Sequence, residues 1–147
     1  MIRKASYDDM EILVKLAKTF HYSSRLKNFR FSPQGTRRYL SSLFECPNSI
    51  IYMTDHGAIG GSISHAPFCE ALIAKESFWY TDHNNAANHP LSGVKLLKKY
   101  MQWLERKGVD VDIMTTMDLD TVDIKSVDVL LARKGYDIFE HSHIRML

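Results

Sequence analysis

One stretch limits the possible architectures more than any other. Between Leu91 and Lys107, Val94, Leu97, Met101 and Leu104 recur at helical spacing, while Lys95, Lys98, Lys99, Gln102, Glu105 and Arg106 fill the other side. This is a helix with one dry stripe, and Gly108 directly after it predicts a left-handed cap. A stripe must be buried against a broader apolar surface. Glu76 to His83 is rich in aromatics, and Val109 to Met114 alternates β-branched residues with Asp110 and Asp112, so both flanks read as strands. Strand, helix, strand implies a helix laid across a sheet.

The remaining chain extends this pattern. Ile2 to Ala5 suits a first strand. Ser6 followed by Asp9 reads as a capping box, and Asp8 and Asp9 favour the positive end of a helix dipole. Ile12, Leu13, Leu16, Ala17 and Phe20 predict a helix from about Tyr7 to Phe20. His21 to Phe31 has no period and reads as loop. Ser32-Pro33 opens a second helix with Tyr39, Leu40, Leu43 and Phe44 on its apolar side; Cys46-Pro47-Asn48 ends it. Ser49 to Thr54 and Ala58 to His65 form a hairpin around Asp55-His56-Gly57, and Gly60-Gly61 predicts a bulge or a close approach. Ala66 to Ala74 is ambiguous, and Asn84 to Pro90 is a polar loop. Ile124 to Lys134 is a helix ending at Gly135, and Tyr136 to Phe139 and His143 to Leu147 read as a closing pair of strands. Along Glu76 to His83, alternation places Glu76, Phe78, Tyr80 and Asp82 on one face and Ser77, Trp79, Thr81 and His83 on the other.

Composition narrows the function classes. The 147 residues suit one domain, 1–147, and 45% hydrophobic with 24% charged residues is ordinary globular composition. No apolar run approaches the roughly 18 residues of a membrane span, and the start does not read as a signal peptide, so a cytoplasmic protein is expected. A net charge of +2 gives no case for a nucleic-acid partner, and two cysteines make no disulfide framework. His141 and His143 share a strand face without further ligands at fixed spacing, and Asp118-Leu119-Asp120 lacks an EF-hand loop, so no metal is expected. Arg25, Lys27, Arg30, Arg37 and Arg38 form a basic cluster suited to an acidic substrate or to solubility. An exposed last strand would allow a homodimer.

Two segments carry a resemblance. They are Asn88-His89-Pro90-Leu91-Ser92-Gly93-Val94-Lys95-Leu96-Leu97 and Leu131-Ala132-Arg133-Lys134-Gly135-Tyr136. With the order of elements, they resemble the GNAT superfamily of acyl-CoA-dependent N-acyltransferases over nearly the whole chain. The resemblance implies an α/β (α+β) fold: a mixed, mostly antiparallel central sheet of about seven strands flanked by four helices. In that family a loop of pattern Gln/Arg-x-x-Gly-x-Gly/Ala holds the pyrophosphate of coenzyme A on backbone amides. Asn88 falls at its first position, Leu91 at the first glycine and Gly93 at the second. The residues implied around acetyl-CoA are therefore Thr81, Asp82, His83, Asn88, His89, Leu91, Ser92, Gly93, Val94 and Lys95. A helix N-terminus suits such an anion on physical grounds alone.

The implied reaction acetylates a primary amine of a small molecule or a protein. Deprotonating a lysine-like ammonium near neutral pH costs on the order of 4 kcal/mol, so a base is needed. The resemblance puts a carboxylate base on the strand from Glu76, with Glu76 first and Asp82 and His83 after it. A main-chain amide near Thr81 to His83 would meet the thioester oxygen. The family's thiolate-protonating tyrosine position holds Leu131 here. A thiol of pKa near 8.5 leaves at modest cost without it. The alternative is a GNAT-like binding or structural module that holds coenzyme A without turnover.

Overall fold

The computed structural model describes residues 1–82, 91–117, 119, 123–140 and 142–147. His83, Asn88, His89, Asp118, Asp120 and His141 lie outside the described residues. The strands are β1 (Arg3–Lys4), β2 (Ser49–Thr54), β3 (Gly57–His65), β4 (Leu72–Thr81) and β5 (Val111–Ile113). The α-helices are α1 (Met10–Ser23), α2 (Pro33–Glu45), α3 (Ser92–Lys107) and α4 (Ile124–Arg133), with a 3-10 turn at Tyr7–Asp9. The sheet runs β1-β2-β3-β4-β5, antiparallel except for the parallel pair β4/β5. This is the mixed α/β arrangement expected.

The helix ends form for local reasons. The Ser6 N–H donates to the Asp9 carboxylate at 2.9 Å, and Arg3 donates to the same group at 2.7 Å, which holds the Asp9 carboxyl well below the usual carboxylate range. The Ser32 Oγ accepts from the Gly35 N–H at 3.0 Å, with Pro33 opening α2. Gly108 caps α3 at φ 66°.

Several expectations are corrected. The described sheet has five strands rather than about seven. Tyr136 to Phe139 and His143 to Leu147 are not strands, and Ile138 and Phe139 are 81% and 77% exposed. An apolar run forms a strand only against a free edge, and β5 offers three residues of ladder. The ambiguous Ala66 to Ala74 contains the start of β4, which pairs with β3 from His65↔Leu72 onward. On α1, Val14 is buried while Ile12 is 41% exposed. On α3 the dry face is broader than the predicted stripe. Leu96, Leu97, Tyr100, Trp103 and Leu104 are buried, and Val94 and Met101 lie half-buried at its edges.

Both faces of the sheet are covered. Ile50, Tyr52, Ile59, Ile63 and Ala74 pack with α3 and Leu131 of α4. Ile51, Met53, Ala58 and Tyr80 pack with α1 and α2. Ala74 and Tyr80 stand an even number of residues apart on β4 yet face opposite sides, so one extra residue lies between them. The register locates it. Gly60 pairs with Phe78 and Gly61 with Glu76, leaving Ser77 as a β-bulge. The glycines predicted to mark a bulge sit opposite it.

Gly61 also explains why no side chain is tolerated there. A Cβ at Gly61 would overlap the Tyr100 hydroxyl and lie 2.9 Å from the Lys75 carbonyl oxygen. The fully buried Tyr100 of α3 thus seats its hydroxyl on the bare backbone beside the bulge. Gly61→Ala is expected to destabilise the fold by about 1–3 kcal/mol in urea denaturation, with much of the loss recovered in Gly61→Ala/Tyr100→Phe. Unchanged stability in the single variant would mean that Tyr100 is seated elsewhere.

Candidate active site

The bulge and the end of the β4/β5 ladder coincide. Parallel pairing covers Ile73↔Val111, Ala74↔Asp112 and Lys75↔Ile113, and stops there. Beyond Lys75 the ladder to β5 ends, and the chain after β5 returns to the sheet as an isolated bridge at Leu119, packed with the cluster of Phe78 and Tyr80. Glu76 is the first residue past the fork. Its Oε2 accepts from the Thr115 N–H at 3.3 Å, so its side chain bridges the two diverging segments.

Glu76 sits in unusual company for a carboxylate. Because of the Ser77 bulge it shares the α3 face with Ala74, not the face of Phe78 and Tyr80. This corrects the simple alternation expected along the strand. Burial raises its carboxyl to about 7, the charge of Asp112 adds to the rise, and the Thr115 N–H opposes it. Asp112 accepts a hydrogen bond from the Tyr136 hydroxyl. The Tyr100 hydroxyl and Asp112 Oδ1 are buried without partners among the described residues. The sequence contained Glu76 as a candidate. It contained no signal for the company of Tyr100, Asp112 and Tyr136, which three separate elements bring together.

The start of α3 lies against the far half of β4. The Trp79 indole N–H donates to the Gly93 carbonyl at 3.2 Å, and a Cβ at Gly93 would stand 3.1 Å from Thr81 Oγ1. Gly93 therefore serves close packing of helix on strand. Leu91 precedes the helix at φ −101°, a backbone conformation open to any residue, so no glycine is needed there. The first helical bond runs from the Lys95 N–H to the Leu91 carbonyl at 3.0 Å. The N–H groups of Ser92, Gly93 and Val94 consequently point out of the helix end. No acidic residue lies in that turn, and Lys95 is exposed beside it. These features fit a diphosphate.

Thr81 and Asp82 part company in role. The Asp82 N–H donates to the His56 carbonyl at 2.7 Å and is thus committed to the hairpin. Ladder alternation then turns the N–H groups of Trp79 and Thr81 toward the edge of β4 away from β3. Leu131 lies in the core at 7% exposure, packed with the α3 cluster.

On the other face of the sheet, α1, α2 and β4 enclose a cavity of about 490 Å³. Leu13, Leu16, Phe20, Phe31, Leu40 and Phe78 supply much of its wall. The bulge residue Ser77 also lines it, as do Arg30 and Met117. The loop between α1 and α2 is tied down by His21, whose Nε2 bonds the Phe29 carbonyl at 2.7 Å, and by the buried Ser24, whose Oγ donates to the His21 carbonyl at 2.7 Å. No period in the sequence announced this loop as a wall, because its order comes from side-chain-to-backbone bonds.

No protein-family model matches the chain, and no curated protein matches it significantly. Solved structures do. An aminoglycoside acetyltransferase, meta-AAC0020, from an uncultured soil metagenomic sample is 18% identical, with a TM-score of 0.70 over 100% of this chain and 95% of that one. A putative acetyltransferase from Agrobacterium tumefaciens str. C58 is 13% identical, with a TM-score of 0.74 over 99% of both chains. A transcriptional regulator from Bacillus halodurans C-125 is 17% identical, with a TM-score of 0.69 over 100% of this chain and 98% of that one. At these identities the likeness concerns the fold, and the chain is a divergent bearer of the GNAT acetyltransferase fold.

Proposed function

We propose that the chain is an acetyl-CoA-dependent N-acetyltransferase acting on a primary amine. The observation that carries this reading is the juxtaposition of β4, past the end of its ladder to β5, with the acid-free N-terminus of α3, which touches Trp79 and Thr81. The amides of Ser92, Gly93 and Val94, with Lys95 beside them, would hold the diphosphate of coenzyme A. When bound, acetyl-CoA supplies an activated acyl carbonyl and a thiolate leaving group. The amides of Trp79 and Thr81 face the edge where that carbonyl oxygen would gain charge. His83, Asn88 and His89 complete the proposed surroundings of the group by sequence position alone.

Glu76 is the proposed base. A carboxyl titrating near 7 is half-ionised at neutral pH and accepts a proton more readily than an ordinary glutamate. The segment that meets Glu76 at Thr115 continues to Met117 in the cavity wall, which supports a route from the cavity to Glu76 around the end of the β4/β5 ladder. Because Glu76 faces α3, proton transfer from an amine in the cavity would pass around the strand at Ser77 through water rather than by direct contact. Asp82 is the second candidate, one residue past the end of β4.

A second reading is favoured by Leu131. With a core leucine at the position of the family's thiolate-protonating tyrosine, the fold could hold coenzyme A without efficient turnover. Calorimetry with acetyl-CoA and desulfo-CoA, paired with thiol release over an amine panel, separates the two. The transferase reading expects uptake and release, uptake alone leaves a binding module, and absence of uptake overturns both.

The base makes its own prediction. For the wild type, kcat at saturating amine should rise about tenfold per pH unit up to about 7 and then level, as Glu76 ionises. Glu76→Gln should lower kcat about 10²- to 10⁴-fold and remove that limb, with acetyl-CoA affinity nearly unchanged. Stability gives an independent check. A carboxyl raised on folding binds protons more tightly in the folded state, so wild-type stability should fall as pH rises from the ordinary 4.5 through about 7. Glu76→Gln should flatten that decline. A variant with unaltered rate profile and unaltered pH–stability curve would remove Glu76 from the role.

A further inference from the structure

The cavity wall is apolar over most of its area, and no aspartate or glutamate lines it among the described residues. Its charged wall group is Arg30, exposed and without a carboxylate partner among the described residues. Arg37 nearby in sequence is different: its guanidinium is engaged by Glu11 through two bonds of 2.9 Å. Among the described residues, the basic cluster of the sequence thus delivers the Arg30 guanidinium to the cavity without a carboxylate partner. An ammonium entering this space would lose water and gain no opposite charge, which lowers its pKa and favours the neutral amine. A polycation would suffer that loss several times over and meet Arg30 as a like charge. A volume of about 490 Å³ suits one small-molecule body.

Resting on the transferase reading, we propose that the acceptor is a primary amine with one aromatic or branched-alkyl body and a single carboxylate. The body occupies the cavity, the carboxylate meets Arg30, and the amine points to β4 at the bulge residue Ser77. Arg30 suits this task because a guanidinium offers paired donors to a carboxylate. The wall itself assists the reaction, since an amine delivered neutral asks less of its base.

Calorimetry with 4-(aminomethyl)benzoate, benzylamine and sisomicin tests the assignment; the first two differ only in the carboxylate. The benzoate should bind about tenfold or more tighter than benzylamine. Arg30→Gln, a change at an exposed side chain, should reduce the benzoate to the level of benzylamine. Affinity for the benzoate should rise about tenfold per pH unit below the pKa of its amine, because the neutral form is the one bound. Tighter binding of sisomicin, indifference to Arg30→Gln, or affinity that falls with rising pH would each overturn the proposal. So would displacement of benzylamine by octanoyl-CoA but not by acetyl-CoA, which would show that the cavity takes an acyl chain. Acetyl-CoA uptake with thiol release to sisomicin alone rejects this substrate class and keeps the transferase reading. Binding of the benzoate through Arg30 with no uptake of acetyl-CoA rejects the transferase reading and keeps the ligand class of the cavity.

Discussion

A single extra residue in β4 organises the molecule. Ser77 bulges opposite Gly60 and Gly61, and the buried Tyr100 of α3 rests its hydroxyl on the space that Gly61 leaves. The bulge reverses which side chains face which helix layer. It turns Glu76 toward α3 and presents Ser77 and Phe78 to the cavity under α1 and α2. The β4/β5 ladder ends at the same level, between Lys75 and Glu76. A regular β4 would have set Glu76, Phe78 and Tyr80 on one face.

Much of this fold is legible in the sequence where local signals are strong. The four helices follow from caps at Ser6 and Ser32, glycine ends at Gly108 and Gly135, and apolar periodicity; the β2–β3 hairpin follows from its turn. The glycine pair marked the bulge, but not which strand carries the extra residue. Counting from Glu76 by alternation therefore assigned the wrong partners. The closing strands failed for another reason. Tyr136 to Phe139 and His143 to Leu147 have strand-like composition, yet composition does not create a partner edge.

The site was legible in a more limited way. Glu76 stood out as the first carboxylate of an aromatic strand, and the structure surrounds it with burial, Asp112 and the Thr115 amide. Leu91 looked like a defect in a glycine pattern; at φ −101° it takes a conformation that costs an ordinary residue nothing. Gly93 keeps α3 against Thr81 and Trp79. The cavity was invisible, because its wall is assembled from α1, α2, the loop between them and β4, and no spacing in the chain records that meeting.

Fold and chemistry stay separable, since one fold carries many activities. The central physical feature is the meeting of two sets of amides, those of Trp79 and Thr81 on the β4 edge away from β3 and those of Ser92 to Val94 at the helix start. Amide shift mapping by NMR during titration with coenzyme A addresses it directly. The account predicts that these five N–H signals move together and saturate at one concentration. Shifts confined to the cavity residues of α1 and α2, with these five signals unmoved, would contradict it.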